Sequence, residues 1–377
     1  MKEQRSSIRL SYYFVIIGFV YFLPYFAIGQ EQFHTDFIIN RGTILINSGN
    51  SDILNSFFLV DTGVSVPVFD KNFTSIINKE KQYSGDNVVL DNQKLNISTI
   101  PDYQGKVLLS DLSKISRNMG VLINGIVPLH YPGYEIYIDF GNKRIVWQLI
   151  SPQRTIKTKD MLCERLYFSA EQPCPKVSIT LNTKIAAVAN IDLAKSEYIV
   201  VPMGFSNEQG LITEKNKIAH FYGGKAVQYF RLTSLKIGNQ KFDNLLSVSV
   251  PGEKDISLGT RFLRQFVMYL NYEGAKVCFL KGNIVPEEKW IGTGILLDYC
   301  DEKGWVIGVV EDSPAWKEGN LKGGETLLKI NEWDIKGLSA EQIINLLNPS
   351  SGTEIECTFL DLSKQIRTIT LSSEEIL

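Results

Sequence analysis

Two stretches of this chain repeat one another at an almost fixed distance. Phe57-Phe58-Leu59-Val60 runs into Asp61-Thr62-Gly63, and Ile185 to Ile191 runs into Asp192, 131 positions after Asp61. The same spacing of 131 relates Ser65 to Ser196, Ile126 to Ser257 and Val127 to Leu258. After one inserted residue it becomes 132, and it holds from Tyr137 and Tyr269 through Ile145 and Val277 to Trp147 and Phe279. Strands and loops vary in length, so coincidental β patterning would drift. A near-constant offset predicts an internal duplication. Each copy reads as an all-β lobe: short apolar runs at 36–40, 43–47 and 55–60 in the first, and at 176–181 and 185–191 in the second, are separated by turn residues such as Ser48-Gly49-Asn50 and Asn182-Thr183-Lys184.

In each lobe a strand ends on an aspartate at a turn. An exposed carboxylate there can hold a water, a neighbouring hydroxyl can hydrogen-bond across a site, and glycine lets a second backbone come close. One such loop is half of a site that needs two carboxylates sharing a proton. Two lobes carrying Asp61-Thr62-Gly63 and Asp192, each with an apolar strand near its close, resemble the pepsin and retropepsin superfamily over residues 33 to 281. The resemblance implies Asp61 and Asp192 as a catalytic pair, supported by Thr62, Gly63, Ser65 and Ser196. It also implies a hairpin flap between Tyr83 and Val107, with Tyr83 or Tyr103 as its aromatic residue. The second loop departs from the pattern, since Leu193 and Ala194 stand where hydroxyl and glycine are usual. In the first lobe Pro128 replaces the glycine that the second keeps as Gly259.

The expected organisation is a leader at 1–29, lobes at 33–150 and 175–281 joined by a polar connection at 151–174, a linker at 282–290 and a module at 291–377. The leader has Lys2, Arg5 and Arg9 ahead of an apolar run from Leu10 to Ile28, which reads as a secretory signal or, uncleaved, as a membrane anchor. Either places the chain outside the cytoplasm, in a periplasm or cell envelope. There Cys163 and Cys174 are candidates to pair across a short loop, and Cys278 reads as a buried small hydrophobe.

The last segment resembles a PDZ domain of the bacterial type. Ile291-Gly292-Thr293-Gly294-Ile295 leads into strands, Ser313-Pro314 opens a short helix, and Ser339-Ala340-Glu341-Gln342 forms a capping box for a second one. The resemblance implies binding of peptide C-termini by strand addition, with Gly292, Thr293, Gly294 and Ile295 as the carboxylate loop and Ile343 lining the groove. Gly324 departs from the family, which usually has Asp there. Glu325 follows it.

Composition narrows the partners. A net charge of -2 gives no electrostatic reason for nucleic acid to bind, and three dispersed histidines do not have metal-ligand spacing. No phosphate-binding glycine loop or other cofactor motif is present, so neither cofactor nor metal is expected. The expected function is an exported aspartic endopeptidase acting on peptide or unfolded protein, with a module that binds chain ends. The alternative is a catalytically inactive envelope protein that uses the cleft or groove to bind peptides.

Overall fold

The computed structural model describes residues 32–47, 56–73, 87–95, 97, 100–151, 161–169, 174–212, 215–282, 289–301 and 303–377. The expected leader and Tyr83 lie outside them. Among the described residues no helix is long and apolar enough to cross a membrane.

The chain is mainly β. In the first half, Gln32–Asn40, Thr43–Asn47 and Ser56–Asp61 form an antiparallel meander. Ser56–Asp61 also runs parallel to Leu122–Pro128, with Val60 opposite Val127 and Asp61 opposite Pro128. Val68–Asp70 closes on Leu122–Pro128 from the other side and runs parallel to Tyr103–Ser110, which forms a hairpin with Asn87–Leu95.

The second half repeats the central pairing. The hairpin of Lys176–Leu181 and Ile185–Ile191 places its second strand parallel to Ile256–Leu258, with Ile191 opposite Leu258. Ile199–Pro202 then pairs with Ile256–Leu258 and with Gln240–Val250, which folds back on Ala226–Ile237. Val60, Ile191, Val127 and Leu258 are fully buried in one apolar core that extends through both halves.

A third sheet is built by both halves. Its antiparallel order is Arg144–Leu149, Tyr134–Asp139, Phe266–Asn271, Lys276–Lys281 and Leu162–Tyr167. At its centre Tyr137 faces Tyr269 with ring centroids 5.1 Å apart, so positions 132 apart in sequence meet in space.

Three local features differ from expectation. The polar segment 151–174 contributes the strand Leu162–Tyr167; it lies at a sheet edge with only Leu166 buried, which explains its composition. Cys163 bonds to Cys278, not to Cys174, because the two face each other across that edge pairing. The first half is not all β either, since Ser113–Met119 is helical and ends on Gly120 with φ 65°.

Residues 291–377 have their own core, with Ile307, Leu327, Ile343 and Phe359 fully or nearly fully buried. Ile295–Cys300, Gly304–Val310, Thr326–Ile330, Glu354–Leu360 and Ile366–Ser372 are its main strands. Ser313 caps Pro314–Lys317, and the Ser339/Gln342 box caps Ala340–Leu347. The buried Glu325 carboxylate is held by Arg367 at 2.7 Å. Gly304–Val310 pairs with Lys217–His220 of the second half, which makes the two regions one continuous sheet. His220 reinforces this seam by bonding Glu311 at 2.7 Å and stacking on Trp316.

Candidate active site

Asp61 ends a buried strand, and Thr62 and Gly63 turn the chain immediately after it. The turn is closed by the Gly63 N–H, which donates to Asp61 Oδ1 at 2.7 Å. Asp192 stands one residue past its strand, and the Ala194 N–H donates to its Oδ1 at 3.0 Å. Ala194 thus makes the same local bond as Gly63, because the bond needs only a backbone N–H.

Thr62 ties the loops together. Its buried hydroxyl donates to the Ile191 carbonyl at 2.7 Å and accepts from the Leu193 N–H at 3.3 Å. Leu193 offers no hydroxyl in return, and its side chain is fully buried in the core. Its carbonyl accepts instead from the Thr260 hydroxyl at 3.2 Å. Gly259 and Thr260 brace the second loop through bonds with Tyr198 and Lys195 carbonyls, and a Cβ on Gly259 would overlap the Glu197 carbonyl. Pro128, the first-half counterpart, closes a strand opposite Asp61.

Burial raises the proton affinity of both aspartates. For Asp61 the Gly63 N–H opposes this, and the charge of Asp192 adds to it. For Asp192 the effect of burial is opposed by the Ala194 N–H, Lys195 and the Ser257 hydroxyl, while Glu253 adds to it. Lys195 itself is anchored on Glu253 at 2.5 Å. The surroundings are therefore unequal, since a cation stands beside Asp192 and Asp61 has no comparable neighbour among its main influences.

Among the expected supporting residues, neither Ser65 nor Ser196 hydrogen-bonds its aspartate. Ser65 is exposed, and Ser196 packs against Gly42. The hydroxyl near Asp192 Oδ2 belongs to Ser257, at 3.5 Å. Cys174 also belongs to this region. Its buried thiol lies 3.4 Å from the Ile191 carbonyl and 3.9 Å from Thr62 Oγ1, and burial pushes its pKa up to about 12. Neither residue carries a sequence signal of its own, although Ser257 is the offset partner of Ile126. Tyr103 hydrogen-bonds the Lys106 carbonyl at 2.8 Å and packs edge-on against Tyr131.

In the C-terminal region, Thr293 is buried, donates to the Leu347 carbonyl at 3.2 Å and accepts from the Ile295 N–H at 3.4 Å. Gly292 pairs with Glu374, and Gly294 has φ 81° with Ser313 against the place of its missing Cβ. Ile343 points into the module's core; Ile344 and Leu347 of the same helix, with Ile295 and Leu297, line a cavity of about 650 Å³ between the module and the second half. Among the described residues no cluster of His, Cys, Asp and Glu is arranged to hold a metal ion.

No family model matches the chain, and no curated protein matches it. Among solved structures it is similar to basic 7S globulin from soybean, with 9% identity and a TM-score of 0.41, covering 67% of this chain and 95% of that one. It is similar to an aspartic proteinase from Irpex lacteus, with 10% identity and a TM-score of 0.41, covering 68% of this chain and 99% of that one. A retropepsin-like aspartic protease from Rickettsia conorii gives 15% identity and a TM-score of 0.26, covering 32% of this chain and 89% of that one.

Proposed function

We propose that the protein is an aspartic endopeptidase of the pepsin and retropepsin type, built from a duplicated lobe, in which Asp61 and Asp192 activate a water. The observation that carries this reading is the Thr62 hydroxyl, which bonds both the residue before Asp192 and the residue after it. Such a bridge fixes the two aspartate turns relative to each other, as a shared-proton dyad needs. In the proposed step Asp192, favoured as the ionised partner by Lys195, takes a proton from the water as its oxygen attacks the scissile carbonyl. Asp61, protonated at the start, donates its proton to the carbonyl oxygen to give a gem-diol; on collapse the C–N bond breaks, Asp192 passes the proton it took to the leaving amine, and Asp61 takes one back from a gem-diol hydroxyl. No acyl-enzyme forms. Residues 291–377 are read as a PDZ-type module that binds peptide ends, and the leader as a signal or anchor that places the protein in the cell envelope.

One observation favours the inactive, peptide-binding alternative: the bridge is one-sided, because Leu193 offers no hydroxyl. Incubating purified protein with an unfolded protein substrate from acid to neutral pH separates the readings. Cleavage that Asp61→Asn and Asp192→Asn each abolish supports the dyad. Cleavage by both variants at the parent rate refutes it, and no cleavage by the parent favours the alternative.

A further inference from the structure

Beside Arg41 and Gly42 of the first half, the cavity between the C-terminal module and the second half has two walls of different origin. Ile295, Leu297 and Ile344 form one, and Ser196, Glu197 and Thr260 form the other. The second wall is the back of the loop that carries Asp192, with Thr260 bonded to the carbonyl of Leu193 and the N–H of Thr260 bonded to Lys195.

Among the described residues the strand Ile295–Cys300 pairs on one side only, with Gly304–Val310. Alternate residues of such a strand present N–H and C=O groups to its outer edge. The Leu297 carbonyl faces outward, and its partner is the Arg41 guanidinium, at 3.0 Å. Arg41 reaches it from the tight turn between Gln32–Asn40 and Thr43–Asn47, with a left-handed φ of 49°. The other arm of the guanidinium bonds the Asn118 carbonyl at 3.1 Å, and the Arg41 N–H bonds Glu341 at 3.0 Å. Next to it, Gly42 packs so closely on Ser196 that a Cβ there would lie 2.5 Å from the Ser196 Cβ.

We propose that this cavity is an effector site for an extended peptide end, in which Arg41 occupies the strand edge at rest and an arriving peptide contacts the Asp192 loop directly. The inference rests on reading residues 291–377 as a peptide-binding module. The chemistry of the ligand follows from the walls: a backbone that pairs with Ile295 and Leu297, and a small apolar side chain among Ile295, Leu297 and Ile344. A peptide long enough to pair with Leu297 competes with the guanidinium for that carbonyl. Its side chains then reach Ser196 and Glu197, so occupancy of the groove bears on the second aspartate turn without any movement of the module as a whole.

The probe is a fluorescein-labelled octapeptide, Gly-Ser-Gly-Ser-Ala-Val-Ile-Val, with a free carboxylate, used with the full chain. Anisotropy titration should show Arg41→Ala binding it about 5–10-fold more tightly than the parent, the worth of one released hydrogen bond. Arg41→Lys, which keeps the charge without the fork, should fall between them. Hydrogen exchange across residues 193–198 should slow when the peptide is added to the parent. Equal binding by parent and Arg41→Ala overturns the role of Arg41, and unchanged exchange with peptide bound overturns contact with the Asp192 loop. Absence of binding to every variant overturns the site itself. None of these readouts uses cleavage, so an inactive dyad would leave all of them intact.

Discussion

Thr62 accepts a hydrogen bond from the N–H of Leu193, the residue whose side chain departs most from the expected second motif. The backbone of Leu193 therefore takes part in the link between the loops that its side chain cannot make. Replacing Thr62 with Val keeps the shape and removes the bridge, leaving the Ile191 carbonyl and the Leu193 N–H without their Thr62 hydroxyl partner. Stability should fall by about 1–3 kcal/mol, and Thr62→Ser should recover most of it. Urea unfolding of the two variants beside the parent measures this, and an unchanged midpoint for Thr62→Val would sink the idea.

The aspartates should cost stability at neutral pH. Burial raises both carboxyls above their unfolded values, so within that window the folded protein holds more protons than the unfolded chain. Stability is then greatest below the unfolded pKa and declines as pH rises through the folded one. Asp61→Asn should be more stable than the parent at pH 7 by about 1 kcal/mol, with the gain vanishing on acidification below the ordinary carboxylate range. A lower melting temperature than the parent at pH 7 would contradict this.

Lys195 opposes the protonation of Asp192. In Lys195→Met the acid limb of any cleavage profile should move to higher pH, because Asp192 then ionises less readily. Glu253→Gln should move it the other way, to lower pH, since that change removes an anion that raises the proton affinity of Asp192 and leaves the lysine charge in place. Superimposable profiles for parent and Lys195→Met would exclude the assignment of Asp192 as the ionised partner.

Cys163 and Cys278 close a loop of 115 positions between the edge strand and its neighbour. Replacing both with Ala should cost about 3–5 kcal/mol, read as a lower denaturation midpoint. Alkylation of the native, oxidised protein should modify Cys300, which is partly accessible, and spare Cys174 and Cys357, whose thiols burial pushes up to about 12. Peptide mapping showing Cys174 labelled without denaturant would place it elsewhere.

Gly259 admits no side chain. The Gly259→Ala variant should lose about 1–3 kcal/mol through overpacking against the Glu197 carbonyl, with the Asp192 loop displaced. Parent-like stability and hydrogen exchange over residues 192–198 would show that the loop adapts.

Much of the fold is legible because it is written in local patterns. Short apolar runs mark Thr43–Asn47 and Ile185–Ile191, and the caps at Ser313 and Ser339 lie within three residues of the groups they satisfy. The offset of 131 finds Asp192 where its own motif does not. What composition leaves hidden depends on contacts distant in sequence. Cys163 meets Cys278 only because Leu162–Tyr167 joins a sheet edge, and the polar exterior of that strand conceals it. Ser257 reaches Asp192 through a parallel pairing, whereas Ser196, nearer in sequence, is turned toward Gly42. Helical spacing identifies an apolar face on Ala340–Leu347 but does not say that Ile343 enters the core while Ile344 borders the cavity.

The pairing of Lys217–His220 with Gly304–Val310 has a consequence for synthesis. Until the last quarter of the chain leaves the ribosome, Ala219 and His220 can pair with Val227 and Ala226 on one side but lack Val310 and Val309 on the other. A nascent chain in that state presents an open strand edge, the kind of surface that recruits strands from other molecules. Between translating His220 and translating Val310 this edge is therefore open to such strands, and a holding chaperone that covered it would protect the nascent chain.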